Sequence, residues 1–325
     1  MKSKECVHCG KCTRHCKFLE KYKIDIGNMK DHEDLIYHCF LCGKCTVVCP
    51  MGIDGREIIL RMRQKQVQEN GGKMREKGYD MLIQEKKDYI FANYKNQTKN
   101  SVLFPGCNFP SFFPKATKQI IELLRKEAGI GVVFDCCGKP IAELGLLDKE
   151  NEIIKRIEER LEKAGIEEII LLCPNCYHFL KPRLKVKVVS IYEKLHELGL
   201  GRKLLGKLHI FPPCPDRESL EILQDIRVFL EEKPEIINSA QCCGLGGCAG
   251  GKEPELAGDM VRVMAEEAEN TKNRIYTYCA SCSGNFVRKG YLEAEHILLS
   301  VLGLAEKPDT KKSIINRAKT KCWRG

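Results

Sequence analysis

From about residue 101 the chain alternates short apolar runs with longer stretches whose apolar residues recur every three or four positions. "SVLF", "GVVFD" and "EEIILLC" predict buried strands. "KATKQIIELLRKEAG" and "ENEIIKRIEERLEKAG" predict amphipathic helices, stopped at Gly129 and Gly165. The same order returns as "KLHIF", "RESLEILQDIRVFLEE", "EIINSA", "ELAGDMVRVMAEEAEN" and "RIYTYC". Strands alternating with helices predict parallel sheets covered by helices. Residues 56–100 read differently: they are charged, helix-forming and broken at Gly71 and Gly72. Two connecting helices are expected there, with Ile58, Ile59, Met62, Met81 and Leu82 facing a core. "KFLEKYKI" and "DHEDLIYHCF", near the N-terminus, also have helical character.

The second half of the pattern is a duplication of the first. Cys107 aligns with Cys214 at an offset of 107 residues. Cys136–Cys137 align with Cys242–Cys243, and Cys173 and Cys176 with Cys279 and Cys282, at an offset of 106. "VVSIYEKLHELGL" and "AEHILLSVLGL" extend the match. Most of these cysteines follow the end of a predicted strand, the edge where parallel sheets bind ligands. Five thiols per copy therefore converge on one rim. A disulfide within either adjacent pair is disfavoured, because consecutive Cα atoms lie about 3.8 Å apart, below the roughly 4.4 Å that a relaxed bridge needs.

Composition narrows the class. With 325 residues, 43% hydrophobic and 30% charged, the chain has room for two or three packed domains. No apolar run approaches the roughly 18 residues that span a membrane, and "MKSKECVHCGKC" has no hydrophobic signal region. A cytoplasmic protein is expected, peripheral to a membrane partner where one exists. Twenty cysteines in such a setting point to metal ligation rather than a disulfide scaffold, and to an anaerobic cell. The formal net charge of +10 counts every cysteine as neutral, so metal-bound thiolates would offset part of it. Lysines and arginines are dispersed and no nucleic-acid motif appears, so no nucleic-acid partner is expected.

Residues 1–55 hold two runs, Cys6-x2-Cys9-x2-Cys12-x3-Cys16 and Cys39-x2-Cys42-x2-Cys45-x3-Cys49, the second followed by Pro50. This is the spacing of a two-cluster bacterial-type ferredoxin, in which the fourth cysteine of each run serves the other cluster. Cys6, Cys9, Cys12 and Cys49 are assigned to one cubane 4Fe-4S cluster, and Cys39, Cys42, Cys45 and Cys16 to the other. Lys17 stands where a proline often follows. The helical stretch between the runs resembles the helical ferredoxin modules of fumarate reductase and heterodisulfide reductase. Zinc is the weaker reading, since this spacing is not that of a zinc finger. His8, His15 and His38 flank the ligands as candidates to hydrogen-bond sulfur, or as plain surface and packing residues.

The pattern Cys107-x28-Cys136-Cys137-Gly138-x34-Cys173-x2-Cys176, with its second copy Cys214-x27-Cys242-Cys243-Gly244-x34-Cys279-x2-Cys282, resembles the cysteine-rich "CCG" domain. Such domains occur in the catalytic subunit of heterodisulfide reductase. They also occur in the iron–sulfur subunits of glycolate, lactate and anaerobic glycerol-3-phosphate dehydrogenases. The resemblance covers nearly the whole chain. It implies a mixed α+β and α/β fold, a helical two-cluster ferredoxin followed by two duplicated α/β CCG domains with small parallel sheets. The expected boundaries are 1–55 for the ferredoxin, 56–100 for the connector, 101–205 and 206–305 for the CCG domains, and 306–325 for a basic tail. It also implies two noncubane 4Fe-4S clusters. Cys107, Cys136, Cys137, Cys173 and Cys176 would hold one; Cys214, Cys242, Cys243, Cys279 and Cys282 would hold the other. Gly138 and Gly244 would let the backbone pass close to the metal.

The function so implied is reduction of a small disulfide, with electrons passing from the cubane clusters to the noncubane pair. The alternative is an electron-relay subunit of a flavoprotein dehydrogenase, in which no substrate meets the CCG clusters. A zinc-stabilised interaction protein is the remaining reading. The chain has no dinucleotide fingerprint, and "GLGGCAGG" is discounted as one because it follows a cysteine pair. An electron-donor protein, a flavoprotein or ferredoxin, is therefore expected as a partner, with a hetero-oligomer among the expected assemblies. His178 is a candidate proton donor. Lys139, Lys181, Arg183, Lys252 and Arg288 are candidates to bind an acidic substrate, against the plainer reading of surface charges. Cys248 is either a redox thiol near the substrate or a small packing residue. Cys322 is read as incidental.

Overall fold

The computed structural model describes residues 5–271, 274–291 and 294–324. Residues 5–55 contain only short helical turns (Lys11–Arg14, Lys17–Tyr22, Met29–Asp31, Glu33–His38 and Lys44–Val47) and no strand. Two helices follow. In Gly55–Glu69 the Asp54 side chain caps the first turn through Glu57 N at 3.0 Å; the second helix is Asp80–Lys87. Ile59 is buried as expected, but Met81 is 84% exposed while Lys86 on the same helix is buried. Lys86 lies beside Cys107 and Cys136 and pairs with Glu85 at 2.8 Å.

The first sheet joins β1 (Asn93–Asn96), β2 (Asn100–Phe104), β3 (Gly131–Phe134), β4 (Ile166–Leu171) and β5 (Lys187–Ser190) in the order β1-β3-β2-β4-β5. The second joins β6 (His209–Phe211), β7 (Glu235–Ile236), β8 (Ile275–Thr277) and β9 (Glu295–His296) in the order β7-β6-β8-β9. Apart from β1, which lies antiparallel along β3, every pairing is parallel. β1 falls in the stretch read as helical connector. Its Asn93 side chain reaches the carbonyls of Thr320 and Trp323, which ties it to the far end of the chain.

The duplication extends to register. Leu103 faces Ile170 in the first sheet, and Ile210 faces Tyr276 in the second. Ile170 faces Val189, and Tyr276 faces Glu295. In each sheet the order reverses beside the first strand of the repeat (β2 or β6), and at such a switch point the loops leaving neighbouring strands part to form a crevice. All ten paired-motif cysteines lie beyond the carboxyl ends of these strands or in the turn of helix that follows.

One expected helix is largely absent. Of residues 217–232, only Glu221–Ile226 is α-helical, followed by a single 3-10 turn at Arg227–Phe229. Leu220 takes a left-handed φ of 52°, and Asp216 caps from outside by accepting from Ile222 N (3.1 Å) and Leu223 N (3.2 Å). Beyond the turn, Leu230 is held in a strand-like bridge with Leu204. Residues 306–325 include the helix Ser313–Lys319, which folds back over the first repeat: Ser111 Oγ donates to Ser313 O at 2.7 Å and Asn316 Nδ2 to Ser111 O at 3.2 Å.

Arg63 pins the parts together. It is fully buried, and its guanidinium donates to the carbonyls of Ile36 (2.7 Å), Cys39 (2.9 Å), Glu143 (2.6 Å) and Gly247 (2.9 Å). Those four residues belong to the N-terminal module, the first repeat and the second repeat. The planar fork suits this task, because it offers five fixed donors without a carboxylate partner.

Candidate metal centres

Each rim closes into one contiguous group of sulfurs. In the first repeat Cys136 Sγ lies 4.0 Å from Cys107 Sγ, and Cys137 lies beside both Cys136 and Cys176, which in turn meets Cys173. In the second, Cys214 Sγ lies 3.7 Å from Cys242 Sγ, Cys243 lies beside Cys242 and Cys282, and Cys282 meets Cys279. These are contacts between free thiols, well beyond the roughly 2.05 Å of a disulfide bond.

The electrostatics explain why such groups need a metal. Hydrogen bonds from Cys136 and Cys176 draw Cys137 down to about 5. Its partner Cys176 is pushed well up by those same contacts and by burial. Cys243 is lowered by Cys242 and Cys282, and Cys279 by Cys173 and Cys282. Some thiols are drawn down at their neighbours' expense, since five thiolates cannot share a buried site unaided. A polynuclear iron centre supplies the missing positive charge, and thiolates suit iron–sulfur clusters. Five sulfurs also exceed the four that a tetrahedral zinc takes. The residues present therefore fit a cluster. Gly138 (φ 86°) and Gly244 (φ 77°) follow the pairs; a Cβ there would lie 2.8 Å from Ile153 Cγ2 and 2.7 Å from Ala257 O. Each glycine thus serves both the turn and the packing of a helix behind it.

The N-terminal runs interleave. Cys6, Cys9, Cys12 and Cys49 line one cavity, together with Asp25, Ile26, Pro50, Met51 and Ile53. Cys16 instead sits in the field of Cys39 and Cys42, and burial first, then these neighbours, raise its pKa. Cys45 behaves alike, raised by burial and by Cys39, Cys42 and Cys16.

Three of the groups meet in space. Cys42 and Cys242 are within hydrogen-bonding reach, as are Cys173 and Cys279. Asn175 Nδ2 lies 3.6 Å from Cys279 Sγ, across the seam between repeats. Buried cations accompany the sulfurs. Burial opposes the charges of Arg217 and Lys86, but nearby thiols outweigh it: Cys214, Cys42 and Cys242 for Arg217, Cys107 and Cys136 for Lys86. Arg317 adds a second cation beside Cys107 and shares Glu85 with Lys86. None of these cations stood out in the sequence.

Other candidates have partners of their own, although Lys139 also sits in the field of Cys137 and Cys214. The His8 ring binds Asp25 at 2.8 Å, the His38 ring binds Glu253 at 2.7 Å, and His15 is exposed. His178 Nε2 pairs with Asp216 at 2.7 Å, whose other oxygen accepts from Tyr278 OH at 2.7 Å. Lys139 pairs with Glu143, Lys181 with Glu221, Lys252 with Glu76 and Arg183 with Glu150; Arg288 donates to Ser313 Oγ. Cys248 Sγ faces Pro140 O at 4.0 Å, and Cys322 is exposed.

Residues 2–53 match the 4Fe-4S dicluster domain family, and residues 101–181 and 209–287 each match the cysteine-rich domain family. The chain is an iron–sulfur protein of these two families. An uncharacterized iron-sulfur protein of Methanococcus maripaludis is 25% identical over 79% of this chain and 61% of its own length. One component of the fumarate reductase (CoM/CoB) of Methanothermobacter marburgensis is 24% identical over 86% of this chain and 67% of its own. One component of the dihydromethanophenazine:CoB–CoM heterodisulfide reductase of Methanosarcina barkeri is 22% identical over 86% and 87%. The chain is thus related to heterodisulfide reductase subunits, and it spans 61% of the length of the first of these relatives. No helix among its described residues is long and apolar enough to cross a membrane.

Proposed function

We propose that the chain holds four clusters and uses them to reduce a small disulfide. Cys6, Cys9, Cys12 and Cys49 hold one cubane cluster; Cys39, Cys42, Cys45 and Cys16 hold the second. Cys107, Cys136, Cys137, Cys173 and Cys176 hold one noncubane cluster; Cys214, Cys242, Cys243, Cys279 and Cys282 hold the other. When bound, the clusters supply one-electron chemistry.

The observation that carries this reading is the approach of Cys173 to Cys279 across the seam. Cleaving one S–S bond consumes two electrons and two protons and yields two thiols. Two sulfur groups meeting at one seam give each half of a disulfide a one-electron source. The electrons come from a donor protein of the flavoprotein or ferredoxin class, which fits a chain whose relatives are named as subunits of larger complexes. The thiol products need protons; His178, tied to buried Asp216 and 20% exposed, is placed to relay them from solvent to the second repeat.

The relay reading has its own support. Cys279 and its neighbours are buried, and one relative is named as part of a fumarate reductase. EPR on anaerobically purified, oxidised protein separates the two. A new paramagnetic signal on adding coenzyme M or coenzyme B, the thiols in the relatives' names, supports disulfide chemistry. Full iron loading without any thiol-dependent signal supports the relay.

A further inference from the structure

The two repeats differ at the residue before each cysteine pair. Asp135 precedes Cys136 and stays with its own repeat and the β1 strand paired to it: its carboxylate accepts from Cys136 N (2.8 Å), Tyr94 OH (2.9 Å) and Arg160 Nη1 (3.1 Å). Gln241, at the same place in the second repeat, reaches out of it. Its Nε2 donates to Cys16 Sγ at 3.3 Å and to Cys42 Sγ at 3.5 Å. Its Oε1 accepts from Lys17 N at 2.7 Å. A backbone N–H can only donate, so the amide oxygen must face Lys17 and the NH2 must face the two sulfurs. The amide therefore has one orientation.

Arg217 locks the same joint from the other side. Its Nη1 donates to Gln241 O at 2.6 Å and to Cys42 O at 3.3 Å. Gln241 is 6% exposed, so neither contact competes with water. The first repeat has no counterpart to this joint among its described contacts. Its Cys107 and Cys136 lie against Lys86 and Arg317, from the connector and the C-terminal helix.

From this asymmetry we infer that the second repeat is the electron inlet of the duplicated pair, and that Gln241 is the positioning residue of that inlet. Resting on the cluster assignment above, the inference gives Gln241 two tasks. It holds the Cys42 segment against the second repeat, so an electron on the Cys16/Cys39/Cys42/Cys45 group crosses where Cys42 meets Cys242. It also donates hydrogen bonds to two of that group's four sulfurs. Donors to sulfur favour the reduced, more negative state and raise the potential. The first repeat then receives its electron only across the Cys173–Cys279 seam.

The test is an anaerobic, EPR-monitored potentiometric titration of the full chain, with stopped-flow reduction alongside. Q241M keeps the side-chain length and removes the donors. The expected result is a shift of one cubane centre to more negative potential, with the Cys6/Cys9/Cys12/Cys49 centre unmoved. Reduction of the second-repeat centre slows several-fold. R217M is expected to move the same cubane centre in the same direction. An unchanged potential and an unchanged rate in Q241M, at full iron content, overturn the inference. If Q241M loses iron, Q241N carries the same test, since its shorter amide withdraws the donors without emptying the core. A wild-type chain that shows only one cubane signal would instead overturn the cluster assignment, and leaves a distinct signature.

Discussion

Glu253, from the second repeat, accepts a hydrogen bond from Nδ1 of His38 at 2.7 Å, one residue before Cys39. The same buried carboxylate accepts from Lys21 Nζ at 2.6 Å and Tyr22 OH at 2.7 Å, in the helix that follows Cys16. One side chain thereby clamps both segments that carry the second N-terminal cysteine group.

That clamp depends on pH. Burial alone would raise the Glu253 carboxyl, but the bonds from Lys21, Tyr22 and His38 win and hold it below the ordinary glutamate range. A depressed carboxylate stabilises the fold above its unfolded pKa of about 4.3, and the contribution is lost as pH falls through the folded value. The docked N-terminal module should therefore loosen in acid below about pH 4.3. E253Q should cost about 1.5–3 kcal/mol at neutral pH and flatten this acid dependence. Chemical denaturation from about pH 3 to 7, followed by circular dichroism, reads both.

Arg63 is the residue whose loss should be felt most widely. R63M leaves four buried carbonyls short of a donor, with an expected penalty above about 4 kcal/mol. R63K keeps the charge but cannot span the fork, and should cost about half as much. Limited proteolysis should show R63M cut between the N-terminal module and the repeats while wild type resists.

Cys248 and Cys322 stand apart from the four sulfur groups. Cys248 takes a left-handed φ of 57° and faces the Pro140 carbonyl; Cys322 is exposed near the C-terminus. C248S and C322S should retain full iron and unchanged EPR spectra. Iron loss in C248S beyond about one atom in ten would place it among the ligands.

Much of this was legible in the sequence, for a physical reason. Strand ends bring cysteines to a rim wherever a β-α-β repeat recurs, so a fixed offset located both groups from the chain alone. Spacing likewise paired Cys16 with Cys39, Cys42 and Cys45. What stayed hidden depended on contacts between distant segments. Periodicity placed Met81 inside, and could not register that Lys86 would lie beside Cys107 and Cys136 instead. It ran a helix through Leu220 and Leu230, where a left-handed residue and a bridge to Leu204 break it. Gln241 carried no signal in the chain alone, because its meaning required Cys16 and Cys42 to be in place.

The most direct test counts iron and acid-labile sulfide per chain, in anaerobically purified wild type and in the double variant C137A/C243A. About 16 iron atoms are expected in wild type and about 8 in the variant, with the two cubane signals retained. If the variant keeps the wild-type iron content and spectra, the paired cysteines hold no cluster and the account fails.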